Sequence, residues 1–204
     1  NAVPNDNKVK LYNFTEGKIS IKNRGKTVDI PWNCIFANQS FGTMVSDKAL
    51  GFTWALNSRE NKLTSWSNDT MTDNRNEAVF IKYNDKFYDL AAIGKAIFTP
   101  EKATWKSEIE NVKFEVSMCV PDRGTVKKCA VKMTNKSDKN ISFDLIYYTV
   151  PVLGVSPKSR GNIRCKKVKN GVVTESSFAE FPGFSALTCN GFADYICLSR
   201  QHFF

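Results

Sequence analysis

The chain has 204 residues, 42% of them hydrophobic and 24% charged, and 29 Lys+Arg against 20 Asp+Glu give it a net charge of +9. This is an ordinary globular composition, on a chain long enough to bury roughly 70% of its unfolded surface without staples. The longest apolar runs are too short for a membrane-spanning helix, so no membrane partner is expected, and the first residues hold no apolar core of signal-peptide length.

Strand signals recur from one end of the chain to the other, while no window holds apolar residues at helical spacing for three turns. Lys18 to Lys22 alternates, and Ala78–Tyr83 followed by Asn84, Asp85, Lys86 and a return through Phe87 and Tyr88 reads as a hairpin. Val112, Phe114, Val116, Met118 and Val120 alternate strictly with Lys113, Glu115, Ser117 and Cys119, which predicts a half-buried strand. The Pro121-Asp122-Arg123-Gly124 sequence predicts a turn. A return strand follows over Lys128–Thr134, with Cys129, Val131 and Met133 on one face. A polar bend at Asn135–Asn140 leads to another strand over Ile141–Thr149. Arg164–Lys169 and Val172–Thr174 form a hairpin around Asn170-Gly171, a pair that favours a type I′ turn. Short strands are predicted at Phe184–Cys189 and Asp194–Leu198. The spacing is that of an all-β antiparallel sandwich or barrel. No composition break or internal repeat divides residues 1–204, so one β domain is expected. The final Phe203-Phe204 and the unrelated Asn1-Ala2 point to a fragment of a larger protein.

Charge is concentrated in residues 101–170, which carry 15 Lys+Arg and 7 Asp+Glu. Lys158 to Lys169 holds six bases and no acid, with no aromatic residue between Tyr148 and Phe178. Nucleic-acid binding wants stacking rings among the bases, so no nucleic-acid partner is expected. A solvated hairpin face is favoured, with an anion-binding surface through Lys158–Lys169 as the alternative. The six cysteines form no C-x-x-C pair, and no metal site is expected. Mostly placed in apolar segments, they suit a reducing, cytoplasmic compartment.

Pro31 to Asp69 stands apart. It holds Trp32, Trp54 and Trp66, three of the four tryptophans, and it ends in a dense polar run. Catalysis finds little there. The sole histidine, His202, lies two residues from the end. Glu60 and Asp69 could form a carboxylate pair, but Arg59 and Lys62 flank Glu60, whereas a general acid needs an apolar pocket. No phosphate-binding loop occurs, and no cofactor is expected. Sugar recognition fits the composition: rings meet the apolar face of a sugar, and Asn, Arg and Glu meet its hydroxyl rim. The competing reading makes Trp54 and Trp66 core rings, with Asn and Ser capping loop amides.

The same stretch resembles a known family. PW-x-x-x-x-AN-x-x-FGTMVSD, GFTWALNSRENKLTSWSND and EAVFIK are similar to the N-terminal domain of glycosyltransferase family 36, now glycoside hydrolase family 94. That family includes cellobiose and chitobiose phosphorylases and cyclic β-1,2-glucan synthase. YYTVPVLGV resembles a later stretch, with Pro151 and Val150 departing from its usual tryptophan and acid. The resemblance covers roughly residues 14–204 and is weakest after Ser156. It implies a two-sheet (super)sandwich of galactose mutarotase-like shape, itself non-catalytic. It further implies packing against an (α/α)6 catalytic barrel supplied elsewhere in the parent enzyme. The implied partners are that barrel, a β-linked glucosaccharide and a second copy of the full-length enzyme. Arg59, Glu60 and Asn61 become candidates for the rim of the sugar site, with Trp66, Asn68 and Asp69 in support. An independent carbohydrate-binding module is the alternative.

Overall fold

A computed structural model describes residues 12–21, 31–67, 69, 75–177 and 183–199. Every strand pairing in it is antiparallel. One six-stranded sheet runs in the order β1 (Tyr12–Thr15), β2 (Lys18–Ile21), β9 (Lys95–Phe98), β10 (Ala103–Ile109), β11 (Val112–Cys119), β12 (Lys128–Asn135). A five-stranded sheet is ordered β14 (Pro151–Gly154), β6 (Lys62–Thr64), β5 (Ala49–Ala55), β4 (Phe41–Ser46), β3 (Asn33–Ala37). A three-stranded sheet follows the order β13 (Asp144–Thr149), β7 (Glu77–Tyr83), β8 (Lys86–Asp89). A last ribbon joins β15 (Ile163–Val168), β16 (Gly171–Ser176) and β17 (Phe184–Thr188).

The alternation of β11 places Val112, Phe114, Val116 and Met118 in the core, as its pattern predicts. There they meet Trp105 of β10, Val45 and Leu50 of the five-stranded sheet, and Val79 and Ile81 of β7. Trp105 is fully buried, and its indole N–H donates to the Ser46 carbonyl across the sandwich at 3.1 Å. Burial of a ring this size is a large stabilising contribution, and the hydrogen bond removes the penalty of an unpaired N–H.

Three hairpins close through two-residue turns with positive φ at both positions: Glu16-Gly17, Asn84-Asp85 and Glu110-Asn111. Such turns match the right-handed twist of the flanking strands. The Asn-Gly hairpin departs from its expected form. Val168 pairs with Gly171, so the turn residues are Lys169 and Asn170, and neither has positive φ. Gly171 serves another purpose: a Cβ there would lie 1.9 Å from the Leu187 carbonyl oxygen of β17. The glycine admits the third strand rather than the turn.

Other expectations are corrected. Asp194–Leu198 forms no strand, because it has no ladder partner among the described residues. The strand expected from Ile141 begins at Asp144, and Lys22 lies outside the described residues. One helical turn, α1 (Leu90–Ile93), is present where no helix was expected. Asp89 caps it, accepting from the Ala91 and Ala92 amides at 3.0 and 3.1 Å, while its other oxygen pairs with Arg75. Burial pushes the Asp89 carboxyl up, and Arg75 and the two amides draw it only part of the way back. The strands β1, β3, β4, β5, β6, β9, β10 and β14 were not foreseen. In β4 and β5 both faces are largely buried, so the period-two signal is missing.

Candidate functional site

The polar run sits at the β5–β6 connection. Leu56 adopts φ of 59° and turns the chain out of β5. Asn57 then closes an Asx turn, its Oδ1 accepting from the Arg59 and Glu60 amides at 2.8 and 3.0 Å. The Asn61 amide donates to the Asn57 carbonyl at 3.0 Å, and the Ala55 amide donates to the Asn61 carbonyl at 3.0 Å. Asn57 therefore holds the loop, which leaves the neighbouring side chains clear. Arg59 and Glu60 are exposed and pair with each other at 3.3 Å, their side chains 84% and 53% accessible. An ion pair this exposed contributes little to stability.

Neighbouring loops join this one at the same end of the sheet. The Leu56 amide donates to the Ser40 carbonyl at 2.7 Å. Asn38 caps its own turn and donates to the carbonyls of Pro121 and Gly124, both at 2.8 Å. Lys62 reaches the carbonyl of Val155, the last residue of the YYTVPVLGV stretch, at 3.1 Å. The three loops and the strand end form a connected polar rim.

The tryptophans divide by role. Trp105 is core. Trp54 is half-buried and lies across Gly42 of β4, where a Cβ would come within 2.4 Å of the indole. Its ring stands 5.2 Å from that of Phe52, and Trp66, also half-buried, stands 6.3 Å from Phe52 on the same cluster. Asp69 is exposed, and Asn68 lies outside the described residues, as does His202. The structure thus sets Arg59, Glu60 and Asn61 on one loop, with the Phe52–Trp54–Trp66 cluster on the strands that this loop joins and the segment that follows.

Beneath the rim is a polar centre that sequence reading missed. Glu77, the first residue of EAVFIK, is buried with Lys127, which reaches in from the loop before β12. Their side chains are 4% and 7% accessible and form an ion pair. Lys127 Nζ also donates to the Leu50 carbonyl at 2.9 Å and to Thr43 Oγ1 at 3.1 Å. The other Glu77 oxygen accepts from Thr53 Oγ1 at 2.7 Å and from Thr64 Oγ1. The carboxylate is enclosed by its own donors, so it is unsuited to act as a general base on a substrate. Tyr147 packs beside it, and its phenol is pushed well above the usual range by burial first and by the Glu77 charge second. Lys127 and Glu77 lie fifty positions apart, and no local pattern could have paired them.

Among the described residues no group of three His, Cys, Asp or Glu could hold a metal ion. All six cysteines are free thiols. On the outer face of β10–β12, Lys106 pairs with Glu115 at 2.8 Å, and this bond holds the Glu115 carboxyl below its usual range. The arrangement is a β-sandwich with a stitched loop rim and an aromatic cluster beside it.

Comparison with known proteins agrees with this class. Residues 16–175 match the glycosyl hydrolase 94 supersandwich domain, and the chain belongs to that family. The supersandwich is a non-catalytic domain of family 94 enzymes. The chain is also similar to the cyclic β-(1,2)-glucan synthase NdvB of Rhizobium meliloti (strain 1021), at 34% identity over 79 residues. That alignment covers 39% of this chain and 2% of the relative, so the chain spans a small part of the protein it matches.

Proposed function

We propose that this domain is the accessory sandwich of a glycoside phosphorylase or β-glucan-synthase-like enzyme, packing on an (α/α)6 catalytic barrel and bordering its β-linked glucosaccharide site. The observation that carries this reading is the β5–β6 loop. Asn57 locks its backbone while Arg59 and Glu60 remain at the surface, next to Asn61 and the strands bearing Trp54 and Trp66. A loop needed only for its own stability does not require two exposed opposite charges at its tip. Asp69, and Asn68 beside it in sequence, complete the proposed rim. The six free thiols suit a cytoplasmic parent.

The 204-residue chain is expected to form no sugar phosphate from cellobiose-type disaccharides and inorganic phosphate. Turnover by this chain alone would overturn the accessory assignment. In the full-length parent, Arg59→Ala with Glu60→Ala is expected to raise KM for the sugar about tenfold or more, with the unfolding midpoint unchanged. Unaltered kinetics would remove the loop from the sugar site.

The Phe52–Trp54–Trp66 cluster favours a second reading, a sandwich that binds saccharide by itself. Tryptophan fluorescence titrated with β-glucooligosaccharides would then saturate, and Trp66→Ala would abolish the change. A flat titration to millimolar sugar excludes it.

A further inference from the structure

The three most exposed large apolar side chains among the described residues are Phe192 at 86%, Tyr195 at 78% and Phe184 at 71%. All three lie in or just beyond the last strand of the β15–β17 ribbon. Its edge strand, β15, lies within the acid-free run of six bases from Lys158 to Lys169. In linear sequence that run has no aromatic partner, but the fold supplies two. Arg164 pairs across Glu175 with Phe184, which sets Phe184 on the face carrying Arg164 and Lys166. On the other face, Lys167 Nζ lies 5.8 Å from the centroid of the Tyr195 ring. The segment bearing Tyr195 is tied to the hairpin where the Cys189 amide donates to the Asn170 carbonyl at 2.9 Å. Among the described residues, the acids of the ribbon and its trailing segment are Glu175, which stands between Arg164 and Phe184, and Asp194, both exposed.

Lysines on an edge strand commonly serve to prevent sheet-to-sheet pairing. That role needs charge alone and does not call for bare rings on both faces of the ribbon. Rings on both faces of a basic ribbon match a different environment, the headgroup layer of a lipid bilayer. There tyrosine sits at headgroup level, phenylalanine inserts at the acyl boundary, and lysine and arginine meet anionic headgroups. We propose that the β15–β17 ribbon is a peripheral docking surface for an anionic phospholipid bilayer. The ribbon enters by its β17 edge, with Phe184 and the trailing Tyr195 in the interface and Arg164, Lys166 and Lys167 above them on lipid phosphates. Charge complementarity selects this partner over a neutral surface. The placement of rings on opposite faces disfavours single-stranded nucleic acid, whose successive bases need stacking platforms along one track. Such a contact needs no spanning helix, so it is compatible with the short apolar runs of the sequence.

The test is flotation of the 204-residue chain with phosphatidylcholine vesicles and with vesicles containing phosphatidylserine. The chain is expected to float only with the anionic vesicles and to release as salt rises, because the attraction decays within a Debye length. Lys166→Gln with Lys167→Gln should weaken binding about 25-fold, at roughly fivefold per base. Phe184→Ser with Tyr195→Ser should weaken it about tenfold at unchanged salt dependence, and these side chains are exposed enough that the unfolding midpoint should hold. A Phe184→Trp variant should gain a fluorescence component quenched by brominated lipid. Absence of flotation with anionic vesicles at low salt overturns the proposal. So does flotation indifferent to loss of both rings, or equal binding of a single-stranded oligonucleotide with the same dependence on Lys166 and Lys167, since either describes a general polyanion surface.

Discussion

Glu77 and Lys127 show what a single buried pair demands. Removing two charges from water costs several kcal/mol per ion, and the pair persists here because Thr43, Thr53, Thr64 and the Leu50 carbonyl complete its hydrogen bonds. Lys127→Met leaves a buried carboxylate without its counter-ion and is expected to lower stability by about 3–5 kcal/mol in urea unfolding. Lys127→Met combined with Glu77→Leu should recover most of that loss. A double variant as unstable as the two losses added together would show that the residues do not act as a pair.

Cys129 lies close by. Burial pushes its thiol up to about 11 from 9.0, against a smaller downward pull from Lys127. A raised pKa means that the folded state favours the neutral thiol. Its contribution is fully present below the unfolded value and is lost as pH rises from about 9 to about 11. Two units correspond to about 3 kcal/mol, to order of magnitude. Tyr147, also pushed up by burial, acts in the same sense, its loss beginning as pH passes its ordinary value of 10.0. Urea midpoints across this window should fall steeply for the parent chain and less steeply for Cys129→Ala.

At the scale of elements, what was legible depended on solvent. β11 was readable because one face is wet and the other dry, so Lys113 and Glu115 punctuate Val112, Phe114 and Val116. β4 and β5 were not, because burial on both faces erases the alternation. The Asn57–Asp69 run was legible as a polar loop beside rings, and the competing readings each describe part of it. Asn57 does cap loop amides, while Arg59 and Glu60 remain outward. Asn57→Ala should cost about 1 kcal/mol, as loss of a cap does, and speed hydrogen exchange at the Arg59 and Glu60 amides. Exchange unchanged at those two amides would mean that the turn is held by something else. In the sheet below, Gly42→Ala forces a methyl into the Trp54 indole and should cost about 1–3 kcal/mol while shifting tryptophan emission. A neutral Gly42→Ala would show that the indole can move aside freely.

For the whole molecule, the class of fold was readable from strand spacing and from motifs that resemble family 94, and the match over residues 16–175 agrees. Tertiary proximity was not readable. Nothing local announces that Lys127 crosses the sandwich to Glu77, or that Tyr195 returns to Lys167. The basic run looked ring-free because its rings arrive from a later strand and the segment beyond it.

The six-stranded sheet also constrains the order in which the chain can assemble. β2 takes its second neighbour from β9, with Ile21 opposite Ala96 and Ile19 opposite Phe98. Among the described residues, every strand between them belongs to another sheet. During synthesis the β1–β2 hairpin can close early around Glu16-Gly17, but it must wait for β9 to emerge before its free edge is covered. Closing so long a loop carries an entropy cost that the local hairpins do not bear, which places this seam among the slow steps of folding. Strands made well before β9 must thus wait for it to be docked, and in the interval an unpaired edge is open to pairing with a neighbouring nascent chain.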